Sequence, residues 1–275
     1  MSCINCGTEI SGKFCANCGQ RTTVKRITFK DTWLDFWAQV YGFDGLFLRT
    51  LRDLTIRPGV VAKTVISGNR VSYYGPVGYF FLMITLYLVF LSMMGLDILY
   101  FMKSTQSSFQ LEGSDTKLSQ QVQGFIAENI KLFSFLFIPI QALTAKYLFF
   151  RKSGYNFLEN AVLPLYTAGH LNWISILIAI GFKLIGTPIF DPAGGGSLFV
   201  TIDPIITILY FGFSYSAFMT YQSKIKAFFK GIGVSILSYF LFVFSFSIVV
   251  AIVFVSLKLL SPEIFDEMIR PSNNH

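Results

Sequence analysis

Charge is scarce in this chain. Of 275 residues only 13% are charged, 22 Lys/Arg against 15 Asp/Glu, and only two are His. An ordinary soluble domain carries about 25% charged residues. The shortage excludes a disordered chain and argues strongly against a water-soluble globule. Cysteine is absent beyond position 18, so no disulfide framework runs through the body of the chain. What fills the sequence instead is apolar: 53% hydrophobic and 17% aromatic residues, with 31 Phe.

The four cysteines form one unit written twice, Cys3-Ile4-Asn5-Cys6-Gly7 and Cys15-Ala16-Asn17-Cys18-Gly19. Two C-x-x-C pairs at short separation are the pattern of a four-thiolate zinc ribbon, each pair turning two sulfurs towards one ion. A disulfide pair needs an oxidising compartment, and no signal peptide precedes Cys3 as the sequence is written. Iron in a rubredoxin-like site also suits four thiolates. A redox C-x-x-C normally accompanies a βαβ pattern, which is missing. One structural zinc ion held by Cys3, Cys6, Cys15 and Cys18 is the expectation. With four thiolates and one ion, the formal +7 becomes about +5. A closed four-cysteine site leaves no coordination position for catalysis.

Five apolar runs are long enough to cross ~30 Å of hydrocarbon as helices: residues 76–96, 132–150, 161–182, 198–222 and 231–257. The second contains Lys146 and the fourth Asp203. With the amino terminus inside, residues 1–75, 151–159 and 223–230 hold fifteen Lys/Arg and the outer pieces hold six. The positive-inside rule therefore puts the amino terminus in the cytosol and the carboxyl terminus outside. The organisation expected is a ribbon over 1–20, a basic linker with interfacial helices over 21–75, a helical membrane bundle over 76–260 and an outer tail over 261–275. The fold class is an all-α membrane protein of about five transmembrane helices.

From Asp31 onward, Trp33, Phe36, Trp37, Val40, Tyr41, Phe47, Leu48, Leu51 and Leu54 follow amphipathic helical spacing, punctuated by Gly42 and Gly45. Asp31, Asp35 and Asp53 lie off that stripe. Trp33, Trp37 and Arg57 are the expected anchors, whether the helix rests in the inner interface or packs under the bundle. Pro58 opens a further helix running to about Ile66, with Ser67-Gly68 as its stop. A short outer helix is expected around Leu118–Ile126. The Arg and Lys that follow the cysteines read as a topology or headgroup signal, and nucleic acid is the weaker alternative.

The doubled Cys-x-Asn-Cys-Gly unit, then Arg57-Pro58-Gly59, Gly68-Asn69-Arg70 and Tyr74-Gly75-Pro76, resembles a family of bacterial multipass membrane proteins of unknown function with an amino-terminal zinc ribbon. Tyr155-Asn156-Phe157-Leu158-Glu159-Asn160 is a second landmark, although Asn160 stands where that pattern often has His. The resemblance implies a bacterial inner-membrane location and no activity.

Candidate chemistry within the membrane rests on Glu159, Tyr166, His170, Asn172 and Asp203. Glu159 and His170 are eleven residues apart, so they share a helix face about 16 Å apart. Tyr166 lies between, and the three make a polar stripe running from the inner surface towards mid-bilayer. Structural glue between helices, a conduction path, and intramembrane catalysis are the three roles open to it. Catalysis is the weakest, because Ser175 lies off the His170 face and no nucleophile–base pair is visible. The leading reading is a membrane-anchored adaptor or scaffold that is not an enzyme; a transporter, channel or pore is the alternative. Expected partners are the bilayer and a cytosolic or membrane protein, with homo-oligomerisation left open.

Topology is open to direct test. In a background without the native cysteines, single cysteines at Ser108 and Ser272 should react with an impermeant reagent from outside, and one at Ser153 should not. Labelling of Ser153 with protection of Ser272 would contradict the orientation.

Overall fold

Proline at the first helical position opens two consecutive helices, where its missing N–H costs nothing and its fixed φ suits the turn. In the computed structural model, which describes residues 2–22, 45–95, 117–187, 189, 198–260 and 263, Pro58 begins α2 (Pro58–Ile66) and Pro76 begins α3 (Pro76–Met93). Ahead of them lies α1 (Gly45–Ile56). After them come α4 (Lys117–Glu128), α5 (Ile130–Leu143) with a π-helical continuation over Thr144–Phe149, α6 (Phe157–Ile185), α7 (Leu198–Phe218) and α8 (Lys224–Leu260). No strand occurs among the described residues, only isolated bridges at Ser2–Glu9 and Phe14–Arg21. The chain is all-helical there.

Four of these helices are long and apolar enough to cross a membrane: α3, α5 with its π-helical turn, α6 and α8. The expected fourth span falls on α7, 21 residues that include Asp203 and Pro204. The predicted stop at Ser67-Gly68 and the outer helix near residue 120 lie where α2 ends and α4 runs. Trp33 and Trp37, the helix expected from Asp31 to residue 44 and the tail beyond 263 lie outside the described residues.

Side-chain contacts give the bundle its register. Tyr79 packs on Tyr166 and His170, and at the far end the Lys183 ammonium reaches the Met94 sulfur at 3.4 Å. α3 and α6 therefore run parallel. α6 has 29 residues against 18 in α3, about 43 Å against 27 Å at 1.5 Å per residue. The first turns of α6 consequently extend past the start of α3. There Val162 and Leu163 share a buried core with Leu54, Val61, Ala62 and Val65 of α1 and α2. α7 returns antiparallel, with Phe182 against Phe199 at one end and His170 against Tyr210 further along. α8 packs on α7 and reaches α5 through Phe137–Phe242 and Phe133–Phe246.

The α2–α7 crossing depends on a missing side chain. A Cβ on Gly59 would sit 2.3 Å from the Phe218 backbone nitrogen and 2.5 Å from the Ala217 carbonyl carbon. Both obstacles are backbone and neither can turn aside. Gly59→Ala should lower thermal stability in detergent by about 1–3 kcal/mol. Gly181→Ala in α6 meets nothing within 4 Å and should cost nothing, or add about 0.4–1 kcal/mol.

Candidate functional site

The two cysteine knuckles are built alike. In each, a glycine takes a positive φ, 73° at Gly7 and 72° at Gly19, a conformation that glycine adopts without a Cβ penalty. Its N–H returns to the first cysteine's carbonyl, at 2.9 Å in both copies. The result turns four sulfurs inward: the Sγ atoms of Cys3, Cys6, Cys15 and Cys18 all lie within 4.8 Å of one another. Two of the pairs, Cys3–Cys18 and Cys6–Cys15, are 3.5 Å apart. A tetrahedral ion with metal–sulfur bonds of about 2.3 Å needs edges near 3.8 Å. The four cysteines can therefore hold one metal ion.

The surroundings favour thiolates at Cys6 and Cys3. The Thr8 hydroxyl and backbone N–H lower the Cys6 thiol to about 6. Cys3 is also lowered, first by the backbone N–H of Cys6. At Cys18 the Gln20 backbone N–H lowers the thiol, but burial and the neighbouring Cys6 and Cys3 sulfurs prevail and push it up to about 11.

The knuckles do not hang free. Asn5 Oδ1 accepts from Asn69 Nδ2 at 2.9 Å and from Ser72 Oγ at 2.7 Å. Gln20 is buried and donates to the Gly68 carbonyl at 2.7 Å. The segment that receives them, Gly68–Ser72, joins α2 to α3. It is the Gly-Asn-Arg stretch of the sequence together with the serine that follows.

The expected polar stripe divides into separate arrangements. Glu159 belongs to a capping box: its carboxylate accepts from the Asn156 N–H at 2.7 Å, and Asn156 Oδ1 accepts from the Glu159 N–H at 2.8 Å. This is the start of α6, four residues before the expected span. The Tyr166 hydroxyl donates to the Tyr74 carbonyl. Asn172 donates to the Ala168 carbonyl of its own helix at 3.0 Å. Asp203 accepts from Ser175, so the serine that lies off the His170 face pairs with α7.

His170 is fully buried beside the first turn of α3, not at that helix's mid-height. Its Nδ1 lies 2.9 Å from the Tyr79 hydroxyl and its Nε2 lies 3.0 Å from Thr55 Oγ1. The Thr55 hydroxyl already donates to the Leu51 carbonyl at 3.0 Å, so it accepts from the ring. That assigns the proton to Nε2 and makes Tyr79 the donor to Nδ1. Tyr210 stacks on the ring at 5.6 Å and donates to the Leu54 carbonyl at 2.9 Å. A neutral imidazole thus ties α1, α3, α6 and α7 together.

Sequence reasoning missed a second cluster. Asp53, expected on the polar side of an amphipathic helix, is buried on α1, whereas Leu48 and Ile56 are exposed. Its carboxylate accepts from Tyr73 Oη at 2.9 Å, Arg57 Nη2 at 2.9 Å and Arg52 Nε at 3.0 Å. Arg57, expected as an interfacial anchor, is thus engaged with Asp53. Burial opposes the charge on Asp53, but the bonds from Tyr73, Arg57 and Arg52 prevail and hold its carboxyl below the usual carboxylate range. The Arg57 and Arg52 side chains are 52% and 66% exposed, where water screens ion pairs, so the buried tyrosine bond is the firmer contact. The i, i+4 spacing of Asp53 and Arg57 is the only signal of this cluster that the sequence carries.

The family described as "Protein of unknown function (DUF3667)" matches residues 44–88. That stretch takes in α1, α2, the loop that receives the knuckles and most of α3, with Asp53, Thr55, Arg57, Tyr73 and Tyr79. The cysteine knuckles and the Tyr155–Asn160 landmark lie outside it. No curated protein and no solved structure matches the chain.

Two substitutions test these clusters. His170→Leu strands the Tyr79 hydroxyl and should lower thermal stability by about 0.5–2 kcal/mol. Asp53→Asn should cost about 1–3 kcal/mol near neutral pH. Because the folded pKa of Asp53 is depressed, its contribution is complete above the unfolded value of about 3.9 and is lost as pH falls through the lower folded value. The gap between wild type and Asp53→Asn should therefore hold from about pH 8 to 5 and close below about pH 4. A gap that widens on acidification would contradict the assignment.

Proposed function

We propose that this protein is a multipass scaffold of the bacterial inner membrane whose cytosolic cysteine knuckles bind one structural zinc ion and present a docking face to a protein partner. The observation that carries the reading is the closed set of four sulfurs seated on the loop that leads into the first span. Zinc is favoured over iron because a short four-thiolate ribbon suits a redox-inert, tetrahedral ion that supplies folding energy. The bundle has five spans in this reading, α7 joining the four long apolar helices, and the amino terminus inside. Support comes from the fifteen-to-six bias of basic residues and from thiols that need a reducing compartment. Exposed Ile4 and Phe14 on the knuckles, with Arg21 lying over the Phe14 ring at 5.6 Å, suit a protein contact.

A non-catalytic role fits a metal centre with no open position. It fits equally the partners of His170, which are protein groups, whereas a conducting path would need that side chain to face water. Purified protein should contain one zinc per chain, and chelation should unfold the knuckles while leaving the helical bundle intact. Metal analysis that finds no zinc, with the four cysteines free or in disulfides, would refute the reading. So would measurable flux through proteoliposomes that His170→Leu abolishes in a still-stable protein.

A further inference from the structure

We infer that Asn5 couples occupancy of the four-cysteine site to the position of the loop that opens the first span. The inference rests on the metal reading above but concerns a residue that is not a ligand. Asn5 sits between Cys3 and Cys6, inside the first knuckle, whose two sulfurs face those of Cys18 and Cys15 at 3.5 Å. Its side-chain oxygen accepts from both Asn69 and Ser72, as an amide oxygen with two lone pairs can.

The loop is in turn wired to the helices behind it. Asn69 Oδ1 accepts from the Ser72 N–H at 3.3 Å. Tyr73 bonds Asp53, the Tyr74 N–H donates to Thr50 Oγ1 at 2.9 Å, and the Tyr74 carbonyl accepts from Tyr166. Hydrogen bonds therefore tie the first knuckle to the loop, and the loop's last residues to α1 and α6. When four thiolates close around an ion, the two knuckles lock and Asn5 holds Gly68–Ser72 in place. Without the ion the knuckles separate, Asn5 is no longer fixed, and the loop loosens. Asn17, the matching residue of the second knuckle, reaches only as far as Thr8, at 3.4 Å, and the second knuckle's contact with the loop is made instead by Gln20.

Amide hydrogen exchange of the full chain in nanodiscs, with zinc measured in the same samples, tests this. In zinc-loaded wild type, residues 68–74 should exchange slowly, and chelation should speed them roughly tenfold, the scale of one or two lost hydrogen bonds. α3 and α6 beyond their first turns should not change. Asn5→Ala should keep its zinc yet exchange at the fast rate already, with little further response to chelation. Asn17→Ala should behave as wild type. Should Asn5→Ala lose zinc, the double variant Asn69→Ala/Ser72→Ala, which leaves the knuckles untouched, must show the fast loop with zinc bound. A zinc-loaded wild type whose loop ignores chelation, or zinc-loaded variants whose loop stays slow, would overturn the coupling and leave the metal reading standing. Wild type that holds no zinc would overturn the metal reading itself, and the coupling with it.

Discussion

A polar group withdrawn from water must find its partner inside the protein, and in a bundle this apolar there are few partners to find. The imidazole of His170 meets that demand from both ring nitrogens. One is satisfied by a tyrosine of α3 and the other by a threonine of α1. α1 buries Phe47, Leu51 and Leu54 against the core although Leu48 and Ile56 are exposed. Hydrogen bonds fix it there, from His170 to Thr55, from Tyr210 to the Leu54 carbonyl and from Tyr73 to Asp53. The close backbone approach at Gly59 then seats α2 on α7. The segment before α3 is thereby an integral part of the bundle.

That arrangement gives the cysteine knuckles something to act on. A ribbon on a long tether could recruit a partner and do nothing else. Here it rests on Gly68–Ser72, within the loop that joins α2 to α3, through Asn5 and Gln20. The four-cysteine cluster and the loop before α3 are linked by contacts rather than by proximity in sequence. The stretch matched by a family of unknown function is the one in which these contacts converge, and it contains the receiving loop but not the ligands.

Much of the scaffold was legible because membrane helices announce themselves by composition. Charge-free runs of about twenty residues located α3, α6 and α8, and Pro58 and Ser67-Gly68 marked α2 to the residue. The cysteine repeat located the four sulfurs that can hold a metal ion. Tertiary pairing was not legible. Asp53 reads as a solvent-facing residue from spacing alone, because nothing local reveals that Tyr73 will fold back over it. The helical face shared by Glu159, Tyr166 and His170 is real, but a shared face does not make a shared network, since each finds its partner on a different element. Glu159 was misjudged for a more local reason: Asn156 three residues earlier completes a capping box, and the apolar run began only after it.

The central claim is that His170 binds the pre-span segment to the bundle by direct hydrogen bonding. A double-mutant cycle on the full protein in detergent tests this most directly, combining Thr55→Val with His170→Leu and reading stability from reversible unfolding. The account predicts a coupling energy of roughly 0.5–1.7 kcal/mol, because either change alone removes the same bond. Strictly additive losses would mean that the two side chains pack near each other without bonding, and would contradict the account.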